Sequence, residues 1–218
     1  MSDILYKEKS DSADSAKENE TKQNKNKPIQ VVKRNGKRES LDLEKINKVI
    51  TWAAEGLDNV SVSQVVLNAN VQLCDQIKTE DIHEVIIKSA ADLISEDTPD
   101  YQYLAARLAI FHLRKKAYAQ FDPPHLFSHV KKMVDGGWYD KALLEDFDEK
   151  DFDKMNDFIR HSRDLTFSYS AVKQLQGKYL VQDRVNGQIF ESAQFLYVLV
   201  AASLFAHYPK TSRMRYIE

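Results

Sequence analysis

The punctuation between Ile29 and Tyr118 leaves this chain little choice of architecture. One turn dipeptide is followed by four runs of helical periodicity, each with a capping residue at its head. The run Ile29-Gln30-Val31-Val32-Lys33-Arg34 leads into Asn35-Gly36 and returns as Lys37-Arg38-Glu39-Ser40-Leu41. Asn-Gly accepts the positive φ values of a type I′ turn, so a tight β-hairpin is expected. Asp42 can cap a helix from residue 43 to about 55, with Ile46, Val49, Ile50 and Ala53 on one face. Ser61 or Ser63 opens a second helix reaching about residue 76, and Thr79 caps a third with the stripe Ile82, Ile86, Ala90, Leu93. Thr98-Pro99 combines a cap with proline at the first helical position, and the fourth helix runs to about Tyr118. Asp122-Pro123-Pro124 then breaks the pattern. Elements this short bury their apolar faces only against one another, which predicts a β-hairpin capping a four-helix bundle.

Beyond the prolines the pattern stays helical but less regular. Residues 124–134 and 151–163 read as amphipathic helices, with shorter ones at 142–148 and 168–176. A second hairpin is expected where Tyr179-Leu180-Val181-Gln182 meets Asn186-Gly187-Gln188-Ile189-Phe190. Residues 192–207, containing AQFLYVLVAASLFA, form a helix apolar on all sides, of the kind found inside a larger protein. The last residues, Arg215-Tyr216-Ile217-Glu218, fall within another helix. At the other end, residues 1–28 hold six lysines, six acids and one aromatic, Tyr6. Such a stretch buries too little apolar surface to offset its ordering entropy and is expected to be a flexible tail, with a docking arm at Ile4-Leu5-Tyr6 as the alternative. The expected fold class is mainly α (α+β): tail 1–28, hairpin-capped bundle 29–119, and a mostly helical segment with a second hairpin at 120–218.

Charge and cysteine content narrow the function. Lys+Arg 31 against Asp+Glu 33 gives a net charge of −2, without the basic excess that coating nucleic acid or an anionic membrane requires. Cys74 is the single cysteine, which excludes a disulfide framework within the chain and a zinc site of several thiolates; buried packing in the second helix is its expected role. No apolar run approaches the roughly 20 residues that span a bilayer, and the N-terminus lacks a signal-peptide core, so a cytoplasmic chain is expected. Six glycines leave no room for a Gly-rich phosphate loop, and the acidic run at 145–151 lacks the turn glycine of an EF-hand.

The cations are more informative. Lys33, Arg34, Lys37 and Arg38 crowd the first hairpin turn, with Lys45 just beyond it. Taken alone this is a solvated hairpin tip. Thr79 and His83, however, stand at a helix start, where free N–H groups make a polar edge. Lys115 also continues the stripe Leu104, Leu108, Phe111. It either snorkels or meets an anion at the open end of the bundle. Basic groups around an apolar mouth suit a triphosphate whose base rests on aliphatic side chains.

These residues carry a resemblance. VVKRNGKRESLDLEKI and the four helices after it resemble the ATP-cone, the allosteric nucleotide-binding domain of ribonucleotide reductases. WAAEGL, IKTEDIHEVIIKSAADLI, DTPDYQYLAARLAIFHLRKKAY, TFSYSAVKQLQGKYLVQDRV and ESAQFLYVLVAA are similar to the start of the large, catalytic subunit of aerobic class I ribonucleoside-diphosphate reductase. The similarity runs from Gln30 to Glu218.

The resemblance implies a cone that binds ATP as activator and dATP as inhibitor, with Mg2+ accompanying the nucleotide. Matched position by position, the contacts fall on Lys33 and Arg34, on Glu39, Ser40, Leu41, Asp42, Leu43, Glu44 and Lys45, on Thr79 and His83, and on Lys115. The lysines and arginine would neutralise phosphates, the 39–45 backbone would line the base, and His83 would lie near the ribose or α-phosphate. The family's catalytic cysteines and glutamate lie in a downstream barrel, so this chain is expected to hold no catalytic residue, metal ligand or redox cofactor. It would be a fragment or split-gene product, inactive without the remainder of the large subunit. The implied partners are that remainder, a large-subunit dimer, a small diiron radical subunit, and thioredoxin or glutaredoxin. Nucleic acid and membrane are not among them. A cone-bearing transcriptional repressor would need a four-cysteine zinc ribbon before Ile29, where no cysteine stands. A nucleotide-independent helical interaction module stays open as the alternative.

Overall fold

The computed structural model describes residues 29–33 and 36–218. The tail expected at 1–28 and Arg34, one of the expected site residues, lie outside the described residues. The fold is mainly α with small β elements, as expected.

Strands β1 (Gln30–Val32) and β2 (Arg38–Ser40) pair antiparallel, with Val31 opposite Glu39. The Lys33 N–H donates to the Lys37 carbonyl at 2.8 Å, and the Gly36 N–H donates to the Lys33 carbonyl at 2.8 Å. Pairing of Lys33 with Lys37 makes the connection one residue longer than the expected type I′ turn. Gly36 closes it at φ 77, a left-handed conformation that costs glycine little. Helix α1 (Leu43–Ala54) starts where expected, because the Asp42 carboxylate accepts the Glu44 and Lys45 N–H groups at 3.0 and 3.3 Å. Ser61, the first of the two caps considered, holds α2 (Val62–Gln72) by accepting the Gln64 N–H at 3.3 Å.

The next stretch departs from expectation. Helix α2 stops at Gln72, and the chain turns through Gln76 at φ 64 into β3 (Ile77–Lys78). This unforeseen strand lies parallel to β1, giving the order β2-β1-β3 with Val31 opposite Ile77. Cys74 consequently sits in the turn and is exposed, not packed inside a helix as expected. Helix α3 (Thr79–Ala91) has Lys78 at its cap position, so Thr79 is not the cap. Its hydroxyl donates instead to the Val32 carbonyl at 3.3 Å, tying the helix start to β1. Helix α4 (Tyr101–Tyr118) begins two residues later than expected: the Thr98 hydroxyl turns back to the Leu93 carbonyl at 2.9 Å, and Asp100 takes the cap position.

The second half contains α5 (Leu126–Asp135), α6 (Ala142–Asp146) and α7 (Glu149–Phe158). The helix expected over 151–163 is divided, with α7 ending at Phe158 and a tight 3-10 segment at His161–Thr166. Next come α8 (Tyr169–Gln174), a wide π turn (Leu175–Tyr179), and the expected hairpin of β4 (Gln182–Asp183) and β5 (Gln188–Ile189). Helices α9 (Ala193–Phe205) and α10 (Arg213–Ile217) end the chain.

Two large hydrophobic cores result, with a small third of Leu113, Leu180 and Ile189. The first joins Val31, Ile50, Val65, Ile86, Leu104 and Leu108, and Val172 of α8 packs into it. The second joins Leu126, Phe152, Met155, Phe195 and Ala202. Helix α4 is buried on nearly every side, including His112 and Arg114, and stands between the cavity described next and the second half. Helix α9 is apolar on all sides, and this chain leaves part of that surface uncovered: Tyr197, Val200 and Leu204 are 50%, 49% and 67% exposed. Among the described residues no helix is long and apolar enough to cross a membrane.

Candidate functional site

A cavity of about 710 Å³ opens beneath the hairpin, between β1, β2, α1, α3 and α4. Five elements aim side chains into it. Strand β1 and its continuation contribute Val31 and Lys33, and β2 with the residues after it contributes Glu39, Ser40, Leu41 and Asp42. One face of α1 adds Lys45, Ile46, Lys48 and Val49 at helical spacing. From α3 come Thr79, Glu80, Ile82, His83 and Ile86, and from α4 Phe111 and, one turn on, Lys115.

The floor is apolar and the rim is charged. Lys33 Nζ lies 2.6 Å from Glu39 Oε2, and Lys45 Nζ lies 3.3 Å from Asp42 Oδ2. The Lys45 side chain, with the N–H groups at the start of α1, holds the Asp42 carboxyl below its ordinary range. Lys115 Nζ stands 5.6 Å from the centroid of the Phe111 ring. The His83 ring is 5.7 Å from Phe111 and 5.2 Å from His112. Behind Phe111 the rings of Trp52 and Phe121 close the wall, with centroids 5.8 and 5.5 Å away. Such a chamber is within the ordinary size range of small-molecule sites, with a floor apolar enough for a flat aromatic group and cations at the rim for an anion.

Of the expected site residues, Lys33, Glu39, Ser40, Leu41, Asp42, Lys45, Thr79, His83 and Lys115 line this one cavity. Leu43 and Glu44 do not, because the turn of α1 carries both outward to exposed positions. Arg34 is outside the described residues. Lining residues absent from that expectation are Val31, Ile46, Lys48, Val49, Glu80, Ile82, Ile86 and Phe111. Lys48 was visible as a cation three residues after Lys45, and the apolar members as the bundle stripes themselves. Among the described residues no group of His, Cys, Asp or Glu could hold a metal ion by itself.

A hairpin over a four-helix bundle, with a cation-rimmed cavity at its mouth, is the class of domain that the fold and the site define. Residues 29–116 match the model of the ATP cone domain. The chain is 65% identical to the ribonucleoside-diphosphate reductase subunit alpha of Haemophilus influenzae over 193 residues, 88% of this chain and 26% of the relative. It is 64% identical to ribonucleoside-diphosphate reductase 1 subunit alpha of Escherichia coli over 193 residues (88% and 25%). Against the subunit alpha of Enterobacteria phage T4 it is 39% identical over 189 residues (87% and 25%). Residues 29–116 of this chain therefore resemble an ATP cone, and the chain is similar over most of its length to part of ribonucleoside-diphosphate reductase alpha subunits. It spans about a quarter of the length of these relatives.

Proposed function

We propose that this chain is the regulatory part of a ribonucleoside-diphosphate reductase large subunit, and that its cavity binds ATP as activator and dATP as inhibitor. The carrying observation is the lining itself: Lys33, Lys45, Lys48 and Lys115 surround a floor of Val31, Ile46, Val49, Ile82, Ile86 and Phe111. A purine gains from burying its faces on that floor, while the ammonium groups neutralise phosphates at the rim. Lys33 would exchange Glu39 for a phosphate oxygen, and Lys115 would reach past Phe111 toward the ligand. His83, beside Phe111, is placed to sense the ribose. Glu39, Asp42 and Glu80 also face the cavity, so Mg2+ on the triphosphate would offset their repulsion of the ligand.

In this reading residues 29–119 form the sensing unit and 120–218 the helical part between the sensor and the catalytic body. The catalytic body, its dimer, the small diiron radical subunit, and thioredoxin or glutaredoxin are the partners, and the cytoplasm is the setting. With Cys74 as its single cysteine, the chain cannot by itself supply the paired thiols the reduction requires.

Calorimetric titration of the 218-residue chain with ATP, dATP and GTP tests the proposal. Binding of both adenine nucleotides, without turnover of a ribonucleoside diphosphate, is expected. A folded chain that binds neither is instead a helical interaction module, and turnover without added polypeptide would overthrow the division of labour.

A further inference from the structure

Helix α4 carries two adjacent residues with opposite destinations. Lys115 faces the first cavity, while Arg114, 3% exposed, points into the interior between the two halves of the chain. Arg114 Nη2 donates to Asp164 Oδ2 at 2.9 Å and to the His161 carbonyl at 2.6 Å, both in the 3-10 segment. Asp164 is 2% exposed, and its Oδ1 accepts the Gln194 Nε2 at 2.9 Å. Gln194 belongs to the first turn of α9, whose outward face lines a second, apolar cavity of about 520 Å³.

A second contact reaches the same guanidinium from the cavity wall. The Phe111 ring stacks with Phe121 at 5.5 Å, and Arg114 Cζ sits 5.1 Å from the Phe121 centroid. The chain of contacts from the first cavity to α9 is therefore unbroken: Phe111, Phe121, Arg114, Asp164, Gln194. Neither charge can be left behind, because a buried ion without its partner is strongly destabilising, so the elements it joins move together. Arg114 Nε is buried and has no hydrogen-bond partner among the described residues, so the guanidinium is held through Nη2 alone.

We propose that Arg114, Asp164 and Gln194 couple occupancy of the nucleotide cavity to the order of α9. The coupling rests on the nucleotide reading of the first cavity and extends it by naming the route of the signal and its receiver. A ligand that holds Lys115 and Phe111 also restrains the last turns of α4. The Arg114 guanidinium is then fixed on Asp164, and Asp164 fixes the first turn of α9. Coupling of this kind is an equilibrium effect, commonly about fivefold or more in a linked constant. The elements must therefore have two arrangements that the ligand biases.

Hydrogen exchange read by mass spectrometry, on the full chain with and without ATP, tests the coupling. In the wild type ATP should slow exchange in peptides covering 38–49 and 79–86, and also slow 193–199 by about fivefold or more. Gln194→Met and Gln194→Leu each remove the last link, at a residue that does not line the cavity. Both should retain the cavity protection while the α9 response shrinks or vanishes. Cavity protection in the wild type without any change at 193–199 would overturn the coupling and leave nucleotide binding intact. An α9 response undiminished in both variants would overturn the route. No protection in either region would remove the nucleotide reading, and the coupling with it.

Discussion

Lys115→Ala should weaken ATP binding more than any other single lysine change at the cavity. The ammonium lies within the lining and keeps company with the face of Phe111 at 5.6 Å. Among the described residues it forms no ion pair, so it would meet a phosphate without first breaking one. A hydrogen bond to a charged partner contributes about 1.5–3 kcal/mol. At ~1.4 kcal/mol per factor of ten, its loss corresponds to roughly 10- to 150-fold in affinity. Lys33 begins from a different state, paired with Glu39 at 2.6 Å with both side chains more than 40% exposed. Breaking such an exposed pair costs up to about 1 kcal/mol, so the net loss for Lys33→Ala shrinks to about 0.5–2 kcal/mol, roughly 2- to 30-fold. Lys37 is not among the lining residues, and Lys37→Ala should change affinity by less than about threefold. Calorimetric titration of the three variants with ATP, each checked for an unchanged thermal melt, measures the order directly. Lys115→Met keeps most of the stem and should behave like Lys115→Ala if charge is the cause. Equal affinities for all three alanine variants, or a loss below about threefold for Lys115→Ala, would refute the assignment of the rim to phosphate.

His83→Ala should blunt the preference between ATP and dATP more than it lowers overall affinity. The two ligands differ by one hydroxyl, and a single neutral hydrogen bond of about 0.5–1.5 kcal/mol permits roughly a tenfold preference at most; paired titrations at a pH where the imidazole is neutral check it. His129 is 3% exposed, and burial pushes its pKa down to about 4. The unfolded chain gains that proton near pH ~6.5 while the folded chain refuses it, so stability falls as pH drops from about 6.5 toward 4. His129→Leu should therefore lose about 2 kcal/mol less than wild type between pH ~7 and ~5 in denaturant titrations, and an identical pH slope would contradict the reasoning. Cys74, exposed in the turn before β3, should react fully with a thiol reagent in the native protein, and protection until denaturation would place it in the interior after all.

Much of this architecture was legible residue by residue. Asp42 and Ser61 are caps because a side-chain oxygen two or three residues before a free N–H has only a local task, and local tasks are written in local sequence. The stripes on α1, α3 and α4 foretold which faces turn inward, and with them the meeting of Lys45, Thr79, His83 and Lys115 at one mouth. Other features depended on partners distant in the chain. Ile77-Lys78 is too short to announce a strand, and becomes one because β1 offers an open edge beside it. That pairing shortened α2, exposed Cys74 and drew the Thr79 hydroxyl from a cap to the Val32 carbonyl. Arg114 reads in sequence as one more cation in HLRKKAY, indistinguishable from Lys115 and Lys116. Its burial on Asp164, fifty residues away, follows from how the second half folds back on α4, because the energy of a buried charge is set by whatever surrounds it in space.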